Sequence, residues 1–128
     1  MPSVRIATGT WATGSEIKLI EAVQSALVAA FKIPEFDRDV VLDLYDQNRR
    51  IVATGRSERY TRVEIIGIAA RSLDAKRALF RTISKNLEAV GVPRGETRIF
   101  LIEPPAENWG IKGGVLASEA DLGFKINV

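Results

Sequence analysis

The spacing of hydrophobic positions divides the start of the chain into a strand, a helix and a second strand. Residues 2–9 alternate apolar and polar side chains, which predicts a strand. Residues 15–31 change to a helical spacing, which predicts an amphipathic helix that Ser15 caps and Pro34 ends. Residues 39–45 predict the second strand, and because its apolar residues are consecutive we expect both of its faces to be covered. The buried stripe of the helix consists of Ile20, Val23, Leu27 and Phe31.

The second half of the chain repeats this order of elements. An isoleucine-rich run predicts a strand over 61–70, and residues 72–90 predict a helix that opens on a capping serine and ends before Gly91. A further strand is expected over 96–103, and a last short strand over 124–128.

Matching positions in the two halves indicate a duplication. Pro34 and Pro93 each follow a predicted helix and precede a predicted strand, and they are 59 positions apart. Val4 and Val63, in the opening strand of each half, have the same separation. We therefore interpret the chain as one strand–helix–strand unit that occurs twice.

A duplicated β-α-β unit predicts an α+β fold with a four-stranded mixed sheet and two helices on one face. Each right-handed crossover should join two parallel strands. The single domain, 1–128, would contain the repeats 2–46 and 61–105 and a C-terminal tail, 106–128. Because one face of so apolar a sheet stays uncovered, we expect the chain to self-associate.

Composition narrows the chemistry that such a domain can perform. The chain has 128 residues and is 46% hydrophobic, which suits one domain with a real core. It contains no histidine and no cysteine, so we expect no disulfide and no transition-metal site. We expect no cofactor either. The net charge of +2 is too small to indicate nucleic acid. Since neither a signal-peptide pattern nor a membrane-length apolar run occurs, we expect a cytoplasmic protein without membrane partners.

The second residue is a proline, which matters in a chain without histidine or a thiolate. An enzyme of this composition needs another base: a carboxylate, a lysine or the N-terminal amine. Methionine aminopeptidases usually remove Met1 when proline follows, which would leave Pro2 with a free secondary amine. If Met1 stays attached, the Pro2 nitrogen is a tertiary amide and cannot act as a base. The alternative is that Pro2 is simply the residue after the start.

Three segments, together with Pro2, resemble the tautomerase superfamily, and within it the group around malonate semialdehyde decarboxylase and its uncharacterised bacterial relatives. Residues 31–38, FKIPEFDR, are similar to the F-x-x-P-x-x-D-R segment of that group. Residues 70–76, ARSLDAK, resemble the R-S-x-x-x-K that begins its second helix. Residues 103–110, EPPAENWG, resemble the segment of that group in which a tryptophan stands six positions after a glutamate.

The resemblance implies a tautomerase/MIF fold assembled as a homotrimer. In this superfamily the proline amine acts as a base, a nucleophile or an acid on small keto or enol carboxylates. A partly desolvated, cationic pocket disfavours the charged form of such an amine, and an arginine can bind a carboxylate through two parallel hydrogen bonds. The resemblance thus implies an isomerase with Pro2 as general acid–base and Arg71 as carboxylate ligand. We expect parallel neighbouring strands to bring Arg71 near Pro2.

The same resemblance implies further site residues. Asp37 matches an aspartate that is taken to orient or activate water, and Arg38 beside it would bind substrate; the alternative is a loop salt bridge or turn. Trp109 either lines the pocket or packs against the core or a neighbouring subunit, and Lys76 is expected to be structural. The decarboxylase has a second arginine at the position of Ala69, so this departure counts against decarboxylation.

The segment 46–62 is polar and basic, and its residues 51–54 are interpreted as a short strand or hairpin arm. Its arginines could draw in an anionic substrate, or replace the arginine missing at Ala69, or simply belong to a solvated loop. Because Tyr60 is the only aromatic residue among these charges, nucleic acid is not expected. The arginines are Arg49, Arg50, Arg56, Arg59 and Arg62.

Three functions therefore remain open from the sequence. The first is keto–enol isomerisation of a small carboxylate. The second is hydration or decarboxylation of a C3 acid such as malonate semialdehyde, with Asp37 and water. The third is a non-catalytic trimeric binding protein, because a fold does not determine a function.

Overall fold

The computed structural model describes residues 2–128, which form two long helices and a four-stranded sheet. Two short strands follow in the tail. The elements are β1 Ser3–Gly9, α1 Glu16–Phe31, β2 Val40–Tyr45, β3 Thr61–Ile66, α2 Leu73–Val90, β4 Thr97–Ile102, β5 Gly110–Ile111 and β6 Val115–Leu116.

The sheet has the order β2-β1-β3-β4 and confirms the mixed α+β architecture. Each repeat contributes a parallel pair, β1 with β2 and β3 with β4. The two repeats meet at an antiparallel pairing of β1 with β3, in which Ser3 lies opposite Ile66. The start of β1 therefore lies beside the end of β3. The sequence-based argument for proximity assumed parallel neighbours, and that step was wrong, since parallel pairing would have placed these two ends at opposite edges.

The core lies between the sheet and the two helices, which pack on the same face and against each other. Alternate residues of β1 and β3 point into it. Val23, Leu27 and Phe31 of the predicted α1 stripe are buried, but Leu19 is buried in place of Ile20, which is only half-buried. Burying these apolar side chains is the main favourable contribution to folding. The fully buried large residues include Ile6, Leu27, Phe31, Val63, Ile65, Leu79, Ile83 and Leu87.

The other face of the sheet carries an apolar patch, defined here as Val41, Ile66, Phe100 and Ile102. Val41 is 54% exposed and Ile102 is 52% exposed, so the expectation that both faces of β2 are covered fails within a single chain. Ion pairs flank this patch, with Arg5 Nε 2.6 Å from Asp43 Oδ2.

The helix ends show which sequence signals were specific. The Ser72 hydroxyl accepts a hydrogen bond from the backbone N–H of Ala75 at 3.1 Å, which confirms the predicted cap of α2. Gly91 ends that helix with φ 119°, a left-handed conformation that favours glycine. Ser15 occupies the corresponding position before α1, but its side chain makes no capping hydrogen bond.

The tail and the basic segment differ from their predicted structure. Residues 124–128 are irregular, and the tail strands are β5 and β6 instead. The tail end is held by a hydrogen bond from the Ser72 N–H to the Val128 carbonyl oxygen at 2.7 Å. Residues 51–54 form no strand. Across residues 2–128, no helix combines the length and the apolar character that a membrane span requires.

Candidate active site

One edge of the sheet collects the residues that the sequence singled out. The antiparallel centre brings the starts of β1 and β2 to the same edge as the ends of β3 and β4. Pro2 is buried at this edge, and the neighbouring segment before β2 is joined to it by the Val4 N–H, which donates to the Asp39 carbonyl at 2.8 Å. Arg71 follows β3 and Glu103 follows β4. The fold therefore places the predicted base and the predicted carboxylate ligand at a common edge.

Arg71 is the most informative side chain at this edge because it is only 6% exposed. Its Nη1 donates to the Ile68 carbonyl at 3.1 Å, and its guanidinium lies 4.9 Å from the centre of the Phe31 ring. Its Nε and Nη2 are buried and have no hydrogen-bond partner within residues 2–128. These two nitrogens form one edge of the guanidinium, and that edge has the geometry that binds a carboxylate through two parallel hydrogen bonds.

Burial lowers the pKa of Arg71 below its ordinary value, and the nearby carboxylates of Glu103 and Asp37 oppose this shift. An arginine starts from so high a pKa that it stays charged in proteins. The result is a desolvated cation with unused donors. Such a group binds an anion more strongly than a solvated arginine would.

Glu103 and Lys76 form an ion pair beside Arg71. The Lys76 Nζ, in the first turn of α2, lies 2.5 Å from Glu103 Oε1, and both side chains are mostly buried. The chain segments after β3 and β4 run side by side, since the Gly67 N–H donates to the Ile102 carbonyl at 2.9 Å. Sequence reasoning treated Lys76 as structural and did not single out Glu103 as a site residue. The available signal was that Glu103 follows the strand predicted to pair with the one before Arg71.

Asp37 and Arg38 are neighbours in the chain, but their side chains go to different places. Asp37 is half-buried, its carbonyl oxygen accepts a hydrogen bond from Gln24 Nε2 at 3.1 Å, and its carboxylate acts electrostatically on Arg71. Arg38 is exposed and forms an ion pair with Glu21 of α1. Within one chain, Asp37 is thus brought toward Arg71, whereas Arg38 is directed to the helix.

Trp109 lies at the start of the tail hairpin, just before β5. It is half-buried, and its indole Nε1 is buried without a hydrogen-bond partner in the part of the chain that the structure describes. Its carbonyl oxygen accepts from the Ala117 N–H at 2.9 Å, which fixes the backbone of the hairpin. A buried indole N–H without a partner is costly, so a ligand or a neighbouring subunit would stabilise it.

The arginine-rich segment lies at the opposite edge of the sheet, near the end of β1. Arg50 donates to the carbonyl oxygens of Tyr60 at 2.8 Å and Glu58 at 2.7 Å. Arg59 donates to the Gly91 carbonyl at 3.0 Å and stacks on Trp11. Arg50 and Arg59 thus organise the loop, and within one chain this segment lies at the edge of the sheet away from Arg71. A cavity of about 350 Å³ in this region is lined by Arg5, Tyr45, Arg49, Arg50, Tyr60 and Arg62, among others.

Comparisons with known proteins point to one enzyme family. The family model described as "Tautomerase enzyme" matches residues 37–112. The 2-hydroxymuconate tautomerase of Comamonas testosteroni is 37% identical over 51 residues, which are 39% of this chain and 81% of that protein. The enzyme of the same name from Pseudomonas putida is 39% identical over a segment of equal length.

Solved structures extend the likeness over nearly the whole fold. Native fused 4-OT superposes with a TM-score of 0.81 at 25% identity, covering 95% of this chain and 99% of that one. FG41 malonate semialdehyde decarboxylase superposes with a TM-score of 0.80 at 24% identity, covering 91% and 92% of the two chains. Because the family model spans more than half of the sequence and the relatives share its fold, this chain belongs to the tautomerase enzyme family.

Proposed function

We propose that the protein catalyses keto–enol isomerisation of a small keto or enol carboxylate. The observation that carries this proposal is the unpartnered, buried edge of the Arg71 guanidinium, which lies at the same edge of the sheet as Pro2. A carboxylate bound there would hold the rest of a small substrate next to the start of β1.

In this proposal the amine of Pro2 transfers the proton once Met1 has been removed. Burial beside a cation favours the neutral amine. The neutral amine removes the proton of the enol hydroxyl, and the resulting ammonium returns a proton to the carbon that becomes saturated in the keto form. No redox partner is needed, since the substrate and product differ only in the position of one proton and one double bond.

The remaining predicted ligands have supporting roles in the proposal. Trp109 would donate its unpartnered indole N–H to the substrate or border the pocket. Arg38 would bind substrate only after its ion pair with Glu21 breaks, so we assign it a smaller role in substrate binding.

We also propose that the working form is a homotrimer in the cytoplasm. The apolar patch on the open sheet face gives each chain a surface that association would cover. Proteins of similar fold, described as fused 4-OT, form asymmetric and symmetric trimers. The bound small acid and the other subunits would then be its partners, without nucleic acid or membrane.

A second candidate is hydration or decarboxylation of a C3 acid such as malonate semialdehyde. The favouring observation is that the Asp37 carboxylate acts on Arg71, which would let it orient a water molecule near a bound carboxylate. Ala69 counts against this candidate, because the related decarboxylase has an arginine there. A trimeric binding protein without catalysis would use Arg71 in the same way but would not need the Pro2 amine.

The test begins with an intact mass of untagged protein to establish whether Met1 is removed. Two enols, 2-hydroxymuconate and the enol form of phenylpyruvate, are then supplied as substrates, and the loss of enol absorbance is followed. Pro2→Ala still exposes a small N-terminal residue but replaces the secondary amine, so we expect a rate loss of roughly a hundredfold or more. Arg71→Ala should raise KM strongly. Arg77 is exposed, so Arg77→Ala should change neither KM nor kcat.

Each outcome separates the candidates. Full activity of Pro2→Ala would eliminate the proposed isomerase. Turnover of malonate semialdehyde that disappears in Asp37→Asn would favour the hydratase or decarboxylase. Binding of carboxylates that needs Arg71, with no turnover of any acid by processed protein, would favour the binding protein.

A further inference from the structure

Two carboxylates, Glu103 and Asp37, act electrostatically on Arg71, and Glu103 is bound by another cation. Glu103 lies directly after β4, and the chain after β3 passes beside it, with the Ala69 N–H donating to the Pro104 carbonyl at 3.4 Å. This places the Glu103 side chain close enough to Arg71 to act on it electrostatically. Nevertheless, among residues 2–128, no ion pair or hydrogen bond joins Glu103 to Arg71.

The partner of Glu103 is Lys76 and not Arg71. Its Nζ is 2.5 Å from Glu103 Oε1, in a setting where both side chains are less than one-third exposed. A charge-assisted hydrogen bond at this distance is strong, and low solvent access strengthens it further. Glu103 is therefore satisfied by a cation other than Arg71.

We propose that Lys76 is a positioning residue for substrate binding: by holding Glu103 it keeps the Nε–Nη2 edge of Arg71 open for the substrate carboxylate. This inference rests on the proposed function, because it assumes that Arg71 binds the substrate. Without Lys76, Glu103 becomes a mostly buried carboxylate without its cation, and Arg71, on which it already acts electrostatically, offers two unused donors. Glu103 then competes with the substrate for the same two nitrogens.

The charge of the site changes in the same direction. Lys76, Arg71, Glu103 and Asp37 together carry no net charge, and loss of Lys76 leaves one net negative charge. The site would thus lose the open edge and would also repel an anion. A helix-surface lysine with a purely structural role would produce neither effect.

The decisive experiment is a double-mutant cycle on KM and kcat with the best enol substrate. Lys76→Met should raise KM about tenfold or more, the factor carried by one charge-assisted hydrogen bond, and leave kcat nearly unchanged. Adding Glu103→Gln to Lys76→Met should bring KM back toward the original value, because a neutral amide competes poorly for Arg71. Lys76→Arg should behave like the unmodified protein.

Controls make the failures distinguishable. Arg77→Met removes the next cation along the chain, whose partner is Asp74, and should leave KM unchanged. If Arg71→Ala leaves KM unchanged, the proposed function has failed. If Arg71→Ala raises KM but Glu103→Gln does not lower the KM of Lys76→Met, the positioning role of Lys76 is overturned.

A further variant covers the case in which Lys76→Met does not fold. Glu103→Gln alone keeps an oxygen that can accept from Lys76, and the inference expects its KM to be equal to or lower than that of the unmodified protein. A KM raised about tenfold or more in this variant would show that Glu103 supports substrate binding directly, which contradicts the inference.

Discussion

Replacing Arg71 by methionine should remove substrate binding without weakening the fold. Arg71 is 6% exposed, and its Nε and Nη2 are buried without a partner in residues 2–128. Each unsatisfied buried donor costs about 1–3 kcal/mol of folding free energy, so the pair costs about 2–6 kcal/mol. Methionine has a similar length, adapts to irregular space and needs no hydrogen-bond partner.

At the middle of each range, the losses on this substitution are smaller than the relief. The hydrogen bond to the Ile68 carbonyl contributes about 1 kcal/mol, and the stacking on Phe31 contributes about 0.5–2 kcal/mol. The lost attraction to Glu103 and Asp37 reduces the gain further. We therefore expect Arg71→Met to be between unchanged and about 2 kcal/mol more stable, while its KM for the enol carboxylate rises beyond measurement.

Urea unfolding followed by the fluorescence of Trp11 and Trp109 measures this difference, at one fixed protein concentration because assembly affects apparent stability. Arg50→Met is the matched control. Burial also lowers the pKa of Arg50, but its two terminal nitrogens are both used, on Tyr60 and Glu58. That variant should lose about 2 kcal/mol or more. A comparable loss in Arg71→Met would refute the reasoning, since it would show that the Arg71 donors are satisfied in the folded protein.

Three further predictions concern the loop, the helix end and the open sheet face. The Ser57 hydroxyl, 2.7 Å from Glu96, and the Ser57 N–H hold the pKa of Glu96 below its ordinary value. The contribution of Glu96 to folding stability is therefore complete above its unfolded-state pKa. This contribution is lost as the pH falls through the lower folded-state pKa. In Glu96→Gln the free energy of unfolding, measured in urea, should therefore fall less steeply as the pH decreases. An unchanged slope would count against this linkage. Gly91→Ala should destabilise by about 1 kcal/mol or more in the same urea assay, because φ is 119° and the added Cβ would lie 2.7 Å from Arg59 Nη1; equal stability would contradict the strain. Ile102→Asp should convert a trimer to monomers in sedimentation velocity, whereas the outward Lys85→Asp on α2 should not, and a trimeric Ile102→Asp would exclude the apolar patch as the interface.

Much of the fold could be predicted because its signals are local. The helical stripe that includes Leu27 and Phe31, the cap at Ser72 and the stop at Gly91 each depend on a few adjacent residues. The same capping and stop signals also separated the two repeats. The signals that failed were weaker: Ser15 had the right residue type for a cap but makes no such bond, and the pattern at 124–128 did not form a strand.

The candidate site was predictable as a set of residues but not as an arrangement. Arg71 and Asp37 were identified through short motifs, and the structure brings both to one edge. Arg38 came from the same motif, yet its side chain pairs with Glu21. A motif specifies the order of residues along the chain, whereas the direction of an exposed side chain depends on which opposite charge is nearest in space.

The sequence by itself determined the two strand–helix–strand units, the absence of any histidine or cysteine chemistry, and the family resemblance that pointed to Pro2 and Arg71. Only the tertiary structure decided that β1 and β3 pair antiparallel, which brings Arg71 to the edge where β1 begins. It also decided that Lys76 holds Glu103 while two donors of Arg71 stay unused. The physical reason is range: helix and turn preferences act between neighbours in the chain, but strand pairing and the sharing of charges are settled by contacts between distant segments when the core closes.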